Sequence, residues 1–223
     1  MYRHNHTLRL SASDLARFLG CRHRTGLDLA VANDVLTRVK YPDPQLELLW
    51  KKGLEHEKAY VESLRASGKT VEDLTDRDQR DLDIKHARTL DAMQRGIDII
   101  VQGTLVDGQW MGHPDIMQRV DLPSALGNWS YEIADTKLAR DTKAGTILQL
   151  GLYSELLATT QGQRPEKFYV VTPNPITPVE TYRVDDYASY FRLVRKQMLA
   201  RNLPQGNVAD GAKCVCVYVG VVL

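Results

Sequence analysis

Small polar residues precede an apolar repeat near the start of the chain, where Ser11, Ser13 and Asp14 stand before Leu15, Phe18 and Leu19. Capping residues ahead of an i, i+3, i+4 spacing predict a first helix beginning here. Tyr41-Pro42-Asp43-Pro44 breaks the pattern, because the residue before each proline is driven out of helical space. Leu46, Leu49, Trp50, Leu54, Tyr60, Val61 and Leu64 then return at helical spacing up to Gly68. This second helix carries Gly53, His56 and Glu57. A third, strongly charged helix is expected over Asp78 to Arg95, with Leu82, Ala87, Leu90 and Met93 as its narrow apolar stripe and Gly96 as its stop.

From Ile97 the periodicity changes. Ile97 to Val106 is rich in β-branched residues, and Asp107-Gly108 before Gln109-Trp110-Met111 reads as a hairpin turn. Met117 to Val120 extends the second strand, and Trp129 to Thr136 forms a third. A helix over Thr142 to Thr160, strands over Phe168 to Thr172 and Val179 to Val184, and a closing helix over Asp185 to Asn202 complete the pattern. The expected class is α/β: one central mixed sheet flanked by helices, after a helical N-terminal part.

The 223 residues are enough for one large domain, which is expected over 1–205, with 206–223 as a separate cysteine-containing tail. At this size folding removes roughly 70–75% of the unfolded chain's surface, so stability does not require disulfides or a structural metal. With 29 Lys and Arg against 28 Asp and Glu, the net charge is +1, which excludes a global basic field. Any nucleic-acid contact must then be local. No apolar stretch approaches the length of a membrane span, and Met1 to Leu10 has no apolar signal region. The expectation is a cytoplasmic protein with no membrane partner. Three cysteines suit a reducing compartment and place metal binding ahead of disulfides.

Candidate chemistry gathers at two strand ends. Asp115 follows Gly112-His113-Pro114, just beyond the hairpin, and Asp135 and Lys137 close the third strand. The two-residue period of a strand projects Asp135 and Lys137 from one face and Thr136 from the other. Two carboxylates from adjacent strands make a hard-oxygen site suited to Mg2+ or Mn2+, which prefer few protein ligands and several waters. A neighbouring ammonium can orient water and offset phosphate charge. Without its surroundings, Asp-x-Lys reads as a surface ion pair and Asp115 as a turn residue.

In order, the chain contains Gly53-Leu-Glu-His56, Gly112-His-Pro-Asp115, Asp135-Thr-Lys137 and Gln149-Leu-Gly-Leu-Tyr153. In these motifs it resembles the RecB-like exonuclease branch of the PD-(D/E)XK nuclease superfamily, over about Ser11 to Asn202. The resemblance implies a restriction-endonuclease-like core and a metal-dependent DNA nuclease, directed at single strands or ends, in repair, recombination or defence. It implies Asp115, Asp135 and Lys137 as catalytic residues and His56, Asp115, Asp135 and the Thr136 carbonyl as metal ligands, with Glu57 as an alternative to His56. Gln149 and Tyr153, four apart on one helix face, would hold substrate. Glu132 faces away from Asp135 in strand register. Some relatives carry a 4Fe-4S cluster, for which Cys21, Cys214 and Cys216 supply part of the cysteine pattern, although Cys214 and Cys216 are spaced C-x-C with no third cysteine after them. Arg22, His23, Arg24, Lys51 and Lys52 could line a backbone-binding groove. The rival reading is a catalytically inactive nuclease-fold module that holds nucleic acid or docks a helicase.

Overall fold

The computed structural model describes residues 1–4, 7–39, 42–76, 78–139 and 141–202. The N-terminal part is β1 (Tyr2–His4), β2 (Thr7–Ser11), α1 (Ala12–Gly20), α2 (Arg22–Ala32) and α3 (Pro44–Ala66). There follow β3 (Val71–Asp73), α4 (Leu82–Gln94), β4 (Ile99–Val101), β5 (Leu105–Asp107), β6 (Trp110–Gly112), β7 (Ile116–Val120) and β8 (Ser130–Thr136). The chain closes with α5 (Ala144–Gln161), β9 (Lys167–Val171), β10 (Val179–Arg183) and α6 (Val184–Asn202). The class is α/β, with mixed sheets flanked by helices.

There are two sheets rather than the single one expected: a four-stranded sheet ordered β1-β2-β6-β5 and a six-stranded sheet ordered β10-β9-β8-β7-β4-β3. The difference originates at Gln102 and Gly103, inside the β-branched run that reads as one strand. Gln102 adopts φ 53°, a left-handed conformation that ends β4 and swings the chain into the smaller sheet. The β5–β6 hairpin forms there, its turn beginning at Gly108 with φ 55°. Pro114 and Asp115 then return the chain to the large sheet, where β7 runs antiparallel to both β4 and β8. β7 is therefore a strand of its own and not an extension of β6.

Three further strands are not among the expected elements, although Thr7–Ser11 alternates polar and apolar residues. β1 and β2 pair with each other, and β2 joins β6 through Leu10 and Ser11. β3 lies along β4 in parallel. The first helix is divided at Cys21, whose extended backbone (φ −159°) separates α1 from α2. Asp14 accepts the Ser11 backbone N–H at 2.8 Å, so α1 starts where the polar caps place it. Asp43 accepts the N–H groups of Gln45 and Leu46 ahead of Pro44 in the first turn of α3. Asp81 caps α4 in the same way, so that helix begins at Leu82 rather than near Asp78.

α5 is buried on nearly every side because it lies between the two sheets and also packs on α1 and α6. Its Leu148, Leu152 and Leu156 join Ile133 and Phe168 of the large sheet, Leu10 and Leu105 of the small one, and Phe191 of α6. On the opposite face of the large sheet, Val61 of α3 covers Ile99, Val101, Ile116 and Ala134. The ends of β7 and β8 are thus clasped between α3 and α5. No helix among the described residues is long and apolar enough to cross a membrane.

Candidate active site

Asp115 precedes β7, and Asp135 is the penultimate residue of β8. Their antiparallel register, Ile116 opposite Ala134, continues by one position to set Asp115 against Asp135. Asp135 is 0% exposed. Its Oδ1 accepts the Gln149 side-chain amide at 3.2 Å, and its Oδ2 lies 2.6 Å from the Lys137 Nζ. The alternation of β8 therefore puts Asp135 and Lys137 on one face. The Lys137 ammonium is thus the partner of the buried Oδ2, and Gln149 is the partner of Oδ1.

Asp115 is held by the strand beside it and by the crossing loop. Oδ2 accepts the Thr136 backbone N–H at 3.0 Å and the Thr136 hydroxyl at 3.3 Å. Gln102 donates its backbone N–H to the Asp115 carbonyl at 2.8 Å and its side-chain amide to Oδ1 at 3.4 Å. The same amide nitrogen reaches Glu57 Oε1 on α3 at 2.8 Å. The left-handed Gln102 is thus fixed from both sides beside the carboxylates.

The electrostatics follow from three carboxylates gathered around one ammonium. Burial, then the charge of Asp115, pushes Asp135 up to about 8. Glu57 is raised by burial and by Asp115. Burial opposes the charge on Lys137, but Asp135, Asp115 and Glu57 together outweigh it and raise the ammonium's pKa. Such an arrangement is short of positive charge. Its oxygens are hard donors, and one of them, Asp135 Oδ2, is buried with the single Lys137 ammonium beside it. Among the described residues no group of three His, Cys, Asp or Glu side chains forms a metal cage. The donor set fits an ion that takes one or two carboxylates and completes its shell with water, as Mg2+ and Mn2+ do.

On α5, Gln149 donates to the Tyr153 hydroxyl at 3.2 Å as well as to Asp135, joining the two residues that share a helix face. Burial, reinforced by Asp135 and Asp115, raises the Tyr153 phenol and keeps it neutral. The ring lies against Gly112, where a Cβ would come within 2.5 Å of Cδ1 and 2.6 Å of Cε1. That close approach explains the glycine three residues before Asp115.

His56 meets the end of β9, beside the end of β8 that carries Asp135. Its Nε2 lies 3.3 Å from the Val171 carbonyl, which also accepts the Lys137 backbone N–H at 2.8 Å. Glu57, its neighbour, is the α3 residue that joins the carboxylate network, because successive helical positions diverge around the axis. Among the described residues, apart from its own stretch of helix, nothing lies within 4 Å of a Cβ built on Gly53, so no close packing against the sheet requires that glycine. Glu132 is on the opposite face of β8, where it accepts the N–H groups of Glu166 and Lys167 and the Tyr169 hydroxyl. Cys21 is half-buried at the α1–α2 junction, and Cys214 and Cys216 lie outside the described residues. Gln102 is the site residue missed at the level of sequence. Its signal is a polar residue followed by glycine within an otherwise β-branched run.

No protein-family model and no curated protein matches the chain.

Proposed function

We propose that the chain is a metal-dependent phosphodiesterase acting on DNA strands or ends, with a restriction-endonuclease-like core of the RecB-like kind. The observation that carries the reading is the buried Asp135 facing Asp115 across β7 and β8, with the Lys137 ammonium 2.6 Å from Asp135 Oδ2. Asp115 and Asp135 would hold Mg2+ or Mn2+, aided by Glu57 or His56 and the Thr136 carbonyl. When bound, the ion supplies Lewis acidity and a more acidic water.

The remaining steps belong to the chain. The Thr136 N–H and hydroxyl and the Gln102 amide fix the Asp115 carboxylate before substrate arrives, which lowers the reorganisation needed during reaction. Lys137 orients the attacking water and offsets the negative charge that builds on the phosphoryl oxygens. The neutral Tyr153 phenol, positioned by the Gln149 amide, provides a donor for a phosphate on the α5 side.

The test is cleavage of end-labelled single- and double-stranded DNA with magnesium, manganese or EDTA. Asp115→Ala and Asp135→Ala are expected to abolish metal-dependent cleavage with the fold retained. Lys137→Ala is expected to lower turnover more than metal affinity. Full activity in either aspartate variant would show that the site is misplaced, and tight binding without cleavage by the wild type would make the chain a nucleic-acid-binding module.

A further inference from the structure

Beside the carboxylates, the chain leaves the large sheet through residues 102–104 and returns through residues 113–115, and α4 is tied to this double crossing through Thr104. The Thr104 backbone N–H donates to the Thr89 hydroxyl at 2.8 Å, and that hydroxyl donates to the Lys85 carbonyl at 3.0 Å. His86 donates its Nδ1–H to the Thr104 carbonyl at 2.9 Å, since a carbonyl only accepts. Lys85 and His86 are four and three residues before Thr89, so all three share the face of α4 that meets the crossing. On the returning segment, His113 Nδ1 lies 3.0 Å from the Thr104 hydroxyl. Thr104 is 2% exposed, whereas Lys85 is half-buried and His113 is exposed. The buried threonine thus fixes an ammonium-bearing helix face and an imidazole side by side at the surface.

We propose that Lys85 and His113 bind the phosphate next to the scissile one, so that the substrate strand leaves the carboxylates across the β6–β7 connection toward α4. The proposal rests on the nuclease reading of the adjacent site and adds to it a phosphate subsite and a direction for the strand. His113 stands two residues before Asp115, at most about 7 Å away along the chain. Its backbone N–H is directed at the Tyr153 hydroxyl, the donor already placed toward a phosphate. Burial and then the Lys85 charge lower the His113 pKa, so the ammonium is close enough to act on the ring. Lys85 and His113 have no carboxylate partner among the described residues. A threonine hydroxyl can donate to Nδ1, which leaves the ring hydrogen on Nε2 as a donor beside the ammonium. A point charge with a neutral donor next to it suits the two non-bridging oxygens of a phosphodiester. The same ammonium opposes a second metal ion at the two imidazoles. With a net charge of +1 on the chain, a strand depends on local contacts of this kind.

The experiment titrates the full chain with a labelled single-stranded oligonucleotide in EDTA, at a series of salt concentrations, and reads anisotropy. Lys85→Gln is expected to weaken binding about fivefold and to lower the slope of log affinity against log salt by about 0.7, the value of one single-strand phosphate contact. The loss is expected to be equal on oligothymidylate and oligodeoxyadenylate, because a backbone contact reads no base. Lys85→Arg, which keeps the charge, is expected to retain most of the affinity. His113→Ala is expected to weaken binding less and to keep the wild-type slope. Lys196→Gln on α6 removes one charge elsewhere and is expected to leave the slope unchanged. A wild-type slope in Lys85→Gln, an equal fall in Lys196→Gln, wild-type affinity in His113→Ala, or a wild type that binds no strand overturns the proposal. Inorganic phosphate is the second probe, set against chloride at matched ionic strength. It is expected to displace the strand far less well than unlabelled strand does; equal displacement would assign these donors to a free anion and overturn the strand path. Cleavage by the wild type in magnesium is measured in parallel. Strand binding through Lys85 without cleavage removes the nuclease reading and leaves a strand-binding site, whereas cleavage with unchanged binding by Lys85→Gln removes the subsite alone.

Discussion

Asp135 gives up the hydration of its carboxylate for one ammonium and one amide, and Asp115 stands across the strand with a second negative charge. A proton or a divalent cation relieves this arrangement, and the two compete for it. The sign of the consequence is fixed. An unfolded Asp titrates at about 3.9, whereas the folded Asp135 is pushed up to about 8. Between these values the folded protein holds a proton that the unfolded chain has released, so this residue makes stability fall as pH rises. Lys137, raised from 10.5, stays charged across the same window and contributes no slope there. In EDTA, the midpoint of thermal unfolding should fall between pH 6 and pH 8 more steeply in the wild type than in Asp135→Asn. Magnesium should raise that midpoint more at pH 8 than at pH 6, because the ion binds the ionised carboxylates. Equal pH slopes in the two proteins would contradict this account of the site. At this scale the sequence was informative where backbone period decides direction: Asp135 with Lys137 on a strand, and Gln149 with Tyr153 on a helix. It was poor at separating His56 from Glu57, since neighbours on a helix differ in what they face and only the packing angle of α3 decides which one meets Asp115.

At the scale of elements, the crossing between the two sheets builds the site. β4 ends at the left-handed Gln102, and the chain re-enters the large sheet at Asp115, so one strand exit and one strand entry meet and are tied by the Gln102 N–H to the Asp115 carbonyl. α5 fits against this crossing only because Gly112 lacks a side chain. An alanine at position 112 would place its Cβ 2.5 Å from Tyr153 Cδ1 and 3.1 Å from Leu156 Cδ1, and both belong to a packed helix. Gly112→Ala should therefore cost about 1–3 kcal/mol of stability, read by denaturant unfolding, and reduce cleavage by displacing Tyr153. Wild-type stability would show that α5 can retreat freely. Most of the helices were legible in the sequence because caps and apolar spacing are local, but the break at Cys21 that separates α1 from α2 was not. The division into two sheets was not, because Ile97 to Val106 has strand propensity throughout, and the break at Gln102 and Gly103 is set by long-range pairing of β4 with β7 and of β5 with β6.

For the whole molecule, one apolar cluster runs from Leu10 on β2 to Met198 on α6 and encloses α5. The N-terminal strands belong to this core; Thr7–Ser11 does alternate polar and apolar residues, but the run is only five residues long and is not among the expected elements. Thr7–Ser11 is short and mixed, and its burial comes from the distant partner β6. Leu10 is 0% exposed, so Leu10→Ala should destabilise the fold by about 2–5 kcal/mol, measured by chemical denaturation. A loss well below that range would mean that β2 can leave the core at little cost. The same core sets α3 and α5 on opposite faces of the large sheet, and the carboxylates occupy the edge between them. The central claim is that this edge hydrolyses phosphodiesters with a divalent ion. Its most direct test is the rate of cleavage of an end-labelled single-stranded oligonucleotide in magnesium by the wild type and by folded Asp135→Ala. Cleavage that EDTA stops and the variant lacks is the predicted result; equal cleavage by both proteins, or none by the folded wild type with magnesium or manganese, would contradict it.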